Sequence, residues 1–280
     1  MQKTFEVTGP VELDVRLASG EIEVDANLDG GVEVELVAHD EESQRLVDDA
    51  RVELLDRPGR PVVVVDVPNK KGFSFGFSFG RSGIECRIRC PHESGLQVKS
   101  KSADLEVRGT LGGLAVTTAS GDVEVDDVTG GVSIKGASSD FAARTVGALN
   151  VQTASGDVEV GTASGPVSVN TASGDVTIRS ADDNLSVNTV SGDQTLDAVR
   201  VGHVSAQSVS GDVSIGVRRG SRVYLDCSSV SGDTSSELDL QSDAPAGEGP
   251  LVEVRARTVS GDIEIRRAPA PMTDSQEVHA

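Results

Sequence analysis

The stretch from Ser155 to Ile178 reads SGDVEVGTASGPVSVNTASGDVTI. Ser-Gly-Asp occurs twice in it, and the two aspartates, Asp157 and Asp175, are separated by one period of about 18 residues. A short run of alternating apolar and polar residues follows each Ser-Gly-Asp, and a similar run, residues 167–169, lies half a repeat later. Alternation with a period of two is typical of a β-strand with one buried face. One repeat is therefore two short strands and two turns.

The same repeat recurs along most of the chain. At one equivalent position of the repeat, nine serines are each followed two residues later by aspartate, and glycine stands between them in seven of the nine cases. Counted in residues, the steps from one aspartate to the next are 18, 18, 17, 18, 18, 19, 21 and 29. We call these residues the aspartate row: Asp104, Asp122, Asp140, Asp157, Asp175, Asp193, Asp212, Asp233 and Asp262.

This periodicity predicts an all-β fold, a two-sided parallel β-solenoid with about 18 residues per coil. A strand this short cannot bury its apolar face alone, whereas stacked coils bury it continuously. Each coil then adds one parallel strand to each of two facing sheets, about 4.8 Å from the previous strand. An antiparallel meander needs a tight hairpin after every strand, and Asp29-Gly30 is the one Asp-Gly hairpin signal in the sequence.

The pattern divides the chain into four parts. A short helix near residues 40–50, capped by Asp40 or Ser43, and an apolar β run at 62–67 are expected within the second part. The predicted parts are N-terminal β-repeat units (1–38), an insertion with the helix, the β run and a Phe-rich loop (39–83), the β-solenoid (84–267) and a disordered tail (268–280).

Composition narrows the classes of function. The net charge of −20 argues against nucleic acid as a partner, which requires a basic surface. The three cysteines, Cys86, Cys90 and Cys227, are too few and too widely spaced for a disulfide framework and are expected to be thiols. The first residues carry no apolar signal segment and no stretch is long enough to span a membrane, which predicts a cytoplasmic protein.

Serial Ser-Gly-Asp-Val-x-Val units, such as residues 120–125, 155–160 and 210–215, resemble the bacterial putative-adhesin family, a β-strand-repeat domain of unknown function. The resemblance covers residues 94–267, and more weakly 8–36. It implies a β-solenoid and brings no catalytic residues with it.

Catalytic chemistry has no candidate residues in the sequence. The four histidines are scattered, and none stands in a metal-binding spacing. Nucleotide-binding and nucleophile motifs are missing, and serine recurs in every repeat, so that no single serine is distinguished as a nucleophile. The sequence therefore predicts a protein that is not an enzyme and that needs no cofactor.

The aspartate row has two interpretations. Stacked coils bring its carboxylates to one edge at about 4.8 Å intervals, where like charges repel. Turn chemistry offsets this repulsion if the side chains accept backbone N–H bonds within the corner. The other interpretation is a row of divalent cations, but one aspartate per coil is poorer than known calcium repeats, so at most weak calcium binding is expected.

The other candidate site is the segment 72–80, Gly-Phe-Ser-Phe-Gly-Phe-Ser-Phe-Gly. In an extended conformation all four rings point to one side. One interpretation is a cap that covers an end or flank of the solenoid. The other is an interaction segment that docks on a partner, pairs with another copy or contacts an anionic membrane surface. Its residues are Phe73, Phe75, Phe77 and Phe79 with the flanking cations Lys70, Lys71 and Arg81.

Two functions remain open. The first is a structural scaffold or protein-interaction module built on the solenoid rod, with a protein partner or self-association. The second is a surface adhesin that binds carbohydrate or another cell-surface ligand. Sugars generally stack on exposed aromatic rings, and the repeat region has only Phe141 and Tyr224, of which Phe141 occupies an inward position. The outward residues are small and polar, which favours the scaffold.

Overall fold

The computed structural model describes residues 1–57, 59–68, 83–238 and 249–268. Over these residues the chain is all-β, with 21 strands and one short helix. The strands belong to a single hydrogen-bonded sheet system that remains open. The all-β class predicted from the alternating pattern is therefore confirmed.

The N-terminal elements precede the regular repeats. They are β1 (Gln2–Phe5), β2 (Glu12–Leu28), β3 (Val32–Ala38), α1 (Glu41–Asp48), β4 (Arg51–Leu55), β5 (Val62–Asp66), β6 (Ile84–Pro91), β7 (Gly95–Leu111) and β8 (Gly113–Thr117).

The repeats supply the remaining strands. They are β9 (Val123–Lys135), β10 (Phe141–Ser155), β11 (Val158–Ala163), β12 (Val167–Ser173), β13 (Val176–Ala181), β14 (Leu185–Ser191), β15 (Gln194–Val199), β16 (Gly202–Gln207), β17 (Val213–Val217), β18 (Arg222–Ser231), β19 (Thr234–Ser236), β20 (Leu251–Ser260) and β21 (Ile263–Arg267).

Parallel pairing joins equivalent positions of successive repeats. In β11 and β13, Val158 pairs with Val176; in β12 and β14, Val167 pairs with Leu185. The pairings form two series, which are parallel except near the N-terminal end. There β3 pairs antiparallel with β1 and with β6, and β4 pairs antiparallel with β5, so the all-parallel arrangement expected from the sequence is wrong at this end. The first ladder is β4-β5-β2-β7-β8-β9-β10-β12-β14-β16-β20-β18. The second ladder is β1-β3-β6-β2-β7-β9-β10-β11-β13-β15-β17-β21-β19.

Alternation along each strand sorts side chains into core and surface. Val123, Val158 and Val176 are buried, as the pattern predicts, and the intervening Glu124 and Glu159 are exposed. Phe141 stands at the equivalent inward position and is also buried. Each buried apolar side chain contributes about 1.5–3 kcal/mol before conformational entropy is subtracted. The core is therefore a continuous column of small β-branched and aliphatic side chains.

The N-terminal end of the sheet system is covered. The carboxylate of Asp40 accepts the backbone N–H of Ser43 at 2.7 Å and caps α1, and this bond holds the pKa of Asp40 below its usual value. Val47 on the helix is buried in the core cluster. The ammonium of Lys3 donates to the carbonyl of Val52 at 2.6 Å and so links β1 to β4, the outer strands of the two ladders.

The predicted division of the chain at residues 38 and 83 stays a prediction. β2 pairs with β7 over the whole span from Glu12–Gly95 to Ala26–Gly109, so the N-terminal units continue directly into the repeats. β5, which lies within the predicted insertion, pairs with β2 in parallel.

The last two coils are stacked in reversed order. β20 pairs with β16 on one side and with β18 on the other, although β18 comes before β20 in the chain. The same holds for β21, which lies between β17 and β19. Stacking in strict chain order, as expected from the sequence, is therefore wrong at this end. The two longest steps of the aspartate row run from Asp212 to Asp233 and from Asp233 to Asp262. Their extra residues allow the chain to form the outermost coil (β18 and β19) first and then to return to the coil below it (β20 and β21).

Truncation of a core valine tests this assignment of buried positions. Val176→Ala is expected to lower the free energy of unfolding in urea by about 1.5–3 kcal/mol, because the methyl groups lost are buried on every side. Val190→Ala is the matched control, since Val190 is 53% exposed and should change stability by less than about 0.5 kcal/mol. Equal losses in both variants would contradict the assignment.

Candidate functional site: the Ser-Gly-Asp corner

Each Ser-Gly-Asp forms the turn by which the chain leaves the first ladder and enters the second. Gly174 in this turn has φ of +132°, a conformation that side-chain-bearing residues rarely adopt. A Cβ atom built on Gly174 lies 2.1 Å from the carbonyl oxygen of Gly156 in the preceding coil. The glycine is therefore required both by the turn and by the close stacking of one coil on the next.

The aspartate row is a chain of hydrogen bonds between coils. The backbone N–H of Asp175 donates to Oδ1 of Asp157 at 2.8 Å, and that of Asp193 donates to Oδ1 of Asp175 at 2.8 Å. These bonds use the carboxylate charge, which strengthens them and offsets repulsion between neighbours. The bonds connect, in order, Asp104, Asp122, Asp140, Asp157, Asp175, Asp193, Asp212, Asp262 and Asp233.

The carboxylates thus accept backbone N–H bonds, as the turn interpretation predicts, but from the neighbouring coil and not from within their own corner. All nine carboxylates lie together on one edge and are exposed. Except in Asp233, which ends the row, one oxygen of each is already occupied by an N–H group, whereas calcium requires six to eight oxygen ligands. Within the described residues, no cluster of three or more histidine, cysteine or carboxylate side chains is placed to hold a metal ion.

A second feature of this corner was missed by the sequence analysis. The residue before serine is exposed, and in the last four stacked coils it is valine, which we call the valine ridge. The exposed fraction is 53% for Val190, 49% for Val209, 49% for Val259 and 79% for Val230. Parallel pairing of the adjacent serines places these four side chains in one row in that order. The change from alanine, in the four preceding coils, to valine was the available signal.

The outward face of the first ladder carries an uncharged row, which we call the amide column: Gln152, Asn170, Asn188 and Gln207. The side-chain amide of Asn188 donates to Oδ1 of Asn170 at 3.0 Å. A row of small serines, Ser168 and its equivalents in β14 and β16, runs beside it. In a chain with a net charge of −20, this neutral and flat surface is distinct from its surroundings.

The outward face of the second ladder carries charge near the N-terminal end. A groove of about 390 Å³ is lined there by arginines and carboxylates. Arg87 lies 3.5 Å from Glu23 and 3.7 Å from Glu35, and a third bond to Glu85 raises the pKa of its guanidinium. The lining charges therefore satisfy one another across strands and form a structural ionic network.

The thiols are structural groups. Cys86 and Cys90 are fully buried, and burial raises the pKa of Cys86 to about 12 and that of Cys90 to about 11. Cys227 is half-buried, and all three are free thiols, as expected. A thiol with so high a pKa supplies no thiolate at neutral pH and is a poor nucleophile.

The Phe-rich candidate segment lies outside the described residues. This applies to all seven of its predicted residues, which fall within 69–82, and to residues 269–280 of the tail predicted from 268 onward. The first residue of that tail, Ala268, is instead buried and donates its backbone N–H to the carbonyl of Val217 at 3.0 Å. Among the described helices, none has the length and apolar character needed to cross a membrane.

Geometry and chemistry together define a class: a β-strand-repeat protein whose corner side chains bind successive coils to one another. The chain belongs to the Toastrack DUF4097 family, whose model matches residues 11–266. This confirms the resemblance to the putative-adhesin family that the Ser-Gly-Asp units carry.

Two solved structures are similar to this chain over most of their length. A putative adhesin from Parabacteroides distasonis is 16% identical, with 94% of this chain and 96% of that chain covered and a TM-score of 0.50. A putative adhesin from Bacteroides fragilis is 12% identical, with 95% and 96% covered and a TM-score of 0.41. The search among curated proteins gives no significant match.

Replacement of a corner glycine tests the stacking geometry. Gly174→Ala is expected to cost about 2–4 kcal/mol in urea unfolding, because the methyl group meets a backbone carbonyl in a strained conformation. Gly131→Ala is the control, since no atom lies within 4 Å of its Cβ position. A Gly174→Ala variant as stable as this control would show that the coils are not stacked this closely.

Thermal unfolding with calcium or with chelator tests the aspartate row as a cation site. If calcium binds only weakly, its concentration stays below its dissociation constant and it adds little to the stability of the protein. We therefore expect the two melting temperatures to agree within about 2 °C. Asp175→Asn keeps the oxygen that accepts the N–H of Asp193 and serves as the control. A large calcium-dependent rise that this variant diminishes would establish cation binding.

Proposed function

We propose that this chain is a non-enzymatic scaffold, a two-sided parallel β-solenoid of about 18 residues per coil whose outer surfaces bind a protein partner. The observation that carries this proposal is the use of the corner side chains between coils. Because each carboxylate of the row except the last accepts an N–H from the neighbouring coil, the most regular polar groups of the molecule serve its architecture. A partner would therefore bind at the outward faces of the sheets, at the ends or at the Phe-rich segment.

The single core supports the two-sided arrangement. Val158 and Val160 of the second ladder and Val167 and Val169 of the first ladder belong to the same buried cluster. Strands with one buried face and one outward face have this arrangement when two sheets pack against each other. The parallel pairing of Val158 with Val176, which stand one repeat apart in the sequence, supports the coil length.

The distribution of reactive groups supports a non-enzymatic role. Buried thiols, arginines paired with carboxylates and the helix-capping Asp40 have shifted pKa values. Each of these shifts has a structural cause. A catalytic site brings a nucleophile and a base together in a cleft, and the described groove holds paired ions instead.

The amide column favours adhesion as a second candidate function. Side-chain amides offer both donors and acceptors, which suit the hydroxyl groups of a neutral glycan, and here they recur once per strand. The solved structure from Parabacteroides distasonis, which shares the fold, is described as a putative adhesin.

The Phe-rich segment is proposed as the contact point with the partner. Four phenylalanines alternate strictly with serine and glycine and are flanked by three cations in an otherwise acidic sequence, so that an extended segment would present an apolar ribbon. Such a ribbon suits an apolar protein surface, and its cations also suit an anionic membrane surface.

One comparison separates these uses. The immobilised chain is exposed to proteins of a bacterial lysate, to phosphatidylserine-containing vesicles and to a glycan array, as wild type and as the double variant Phe75→Ser/Phe77→Ser. We expect wild type to retain specific proteins and the variant to lose them, because two rings of the apolar ribbon are gone, while its melting temperature stays within about 2 °C of wild type.

Ser74→Ala/Ser78→Ala is the matched control, since it changes the same segment without removing a ring, and it should bind like wild type. Retention of the same proteins by the double phenylalanine variant would contradict the assigned contact point. Vesicle binding lost in that variant would identify the membrane as its target. Glycan binding abolished by Asn170→Lys would favour the adhesin function over the scaffold.

A further inference from the structure

The C-terminal end of the sheet system is left open in the described part of the chain. There, β18 pairs with β20 alone and β19 pairs with β21 alone. Val223 and Leu225 of β18 are only half-buried, whereas their pairing partners Val252 and Val254 in β20 are completely buried. On the first ladder the described core column is thus exposed on the side where the next coil would stand, whereas on the second ladder β19 places the polar Thr234 and Ser236 opposite the buried Ile263 and Ile265.

The backbone of β18 presents unused hydrogen-bonding groups at this edge. The N–H of Arg222 donates to the carbonyl of Pro250 and so points toward β20. In a parallel ladder, alternate residues turn their N–H groups to opposite sides, so those of Val223 and Leu225 point away from β20. An edge of this kind is a template for another strand.

Exposed apolar side chains surround the same edge. Val230 ends the valine ridge and is 79% exposed, and Tyr224 and Leu251 are also exposed. Within the ten residues of β18, only Arg222 and Asp226 are charged, so the usual protection of an edge by charge is slight.

The N-terminal end is different. Its outermost strands β1 and β4 carry Lys3, Arg51 and Glu53, and α1 packs against β3, the strand that pairs with β1. These devices are the ones by which natural sheets prevent edge pairing. Open-ended growth by stacking the C-terminal end of one copy on the N-terminal end of the next is therefore opposed, and the open end is left to meet another open end.

The two corners of the open end carry opposite charge. Among the described residues, Asp233 and Asp262 stand at the Ser-Gly-Asp corner, whereas Arg219 and Arg222 stand with Glu237 at the opposite corner, whose net charge is positive. Arg218 does not count toward it, because its guanidinium donates to Ser180 on β13, away from the open end. A two-fold axis perpendicular to both sheets brings the acidic corner of each copy against the basic corner of the other, twice over. A two-fold axis parallel to the strands instead brings like charges together.

We propose that this chain forms a two-fold symmetric dimer through its C-terminal end, with the β18 strands of the two copies paired antiparallel. The occupant of the open edge is a second copy, because its corners are complementary in charge to those of the first. Residues 1–56 hold 16 carboxylates against 4 lysines and arginines. The arrangement also places these acidic N-terminal regions of the two copies farthest apart. This inference does not depend on the partner proposed above.

Light scattering coupled to gel filtration measures the mass of the full chain. Wild type is expected at twice 29.0 kDa, and Val223→Pro at 29.0 kDa. Proline removes an outward N–H group and leaves the bonds to β20 in place, so the folded monomer should persist by circular dichroism. Val190→Lys is the control, because Val190 lies three coils from the edge on the same ridge, and it should remain a dimer.

Reversing the charge of corner residues tests the dimer in a second way, without changing the backbone of β18. Asp233→Arg and Arg219→Asp should each weaken the dimer by about tenfold, since each removes two symmetry-related ion pairs. The double variant restores complementarity and should dimerise like wild type. A monomeric wild type, an assembly larger than a dimer, or a dimer that neither Val223→Pro nor the exchanges weaken would each overturn the proposal.

Discussion

The hydrogen bond from the backbone N–H of one corner aspartate to the carboxylate of the aspartate before it is the interaction on which this structure depends. It fixes the height and the register of each coil relative to its neighbour, as between Asp157 and Asp175. The bond requires close approach of the two backbones, which glycine at Gly174 permits. Because the register is fixed and side chains alternate between the two faces of each strand, equivalent apolar residues point into the core in every coil. The apolar column is therefore continuous.

Much of this arrangement can be predicted from the sequence because it is local and repeated. The spacing of Asp157 and Asp175 gives the register, and the alternation around Val158 gives the buried face. What could not be predicted lies where pairing is not local. β2 pairs with β7, far along the chain, because both present a full coil of alternating residues, and no signal near Glu12 identifies Gly95 as its partner.

The Ser-Gly-Asp corner likewise has features that a single repeat predicts and features that depend on the neighbouring coils. A single corner suggests turn chemistry, but the choice between turn and cation needs the position of the neighbouring N–H group, which only the stacked structure provides. The valine ridge likewise exists only after stacking, since Val190 and Val230 are ordinary exposed residues when read singly. Their alignment depends on the reversed order of the last coils, which a regular sequence period does not contain.

That reversed order changes how the C-terminal end of the sheet system resists unfolding. In a stack that follows chain order, the outermost strand belongs to the chain terminus and frays first. Here the last strand, β21, lies between β17 and β19, and its backbone is bonded on both sides. The outermost strands β18 and β19 belong to a coil that is joined to the chain at both of its ends. Opening the sheet system at this end therefore does not begin by peeling β21 away, and the edge strand that we propose to pair with a second copy is held in place.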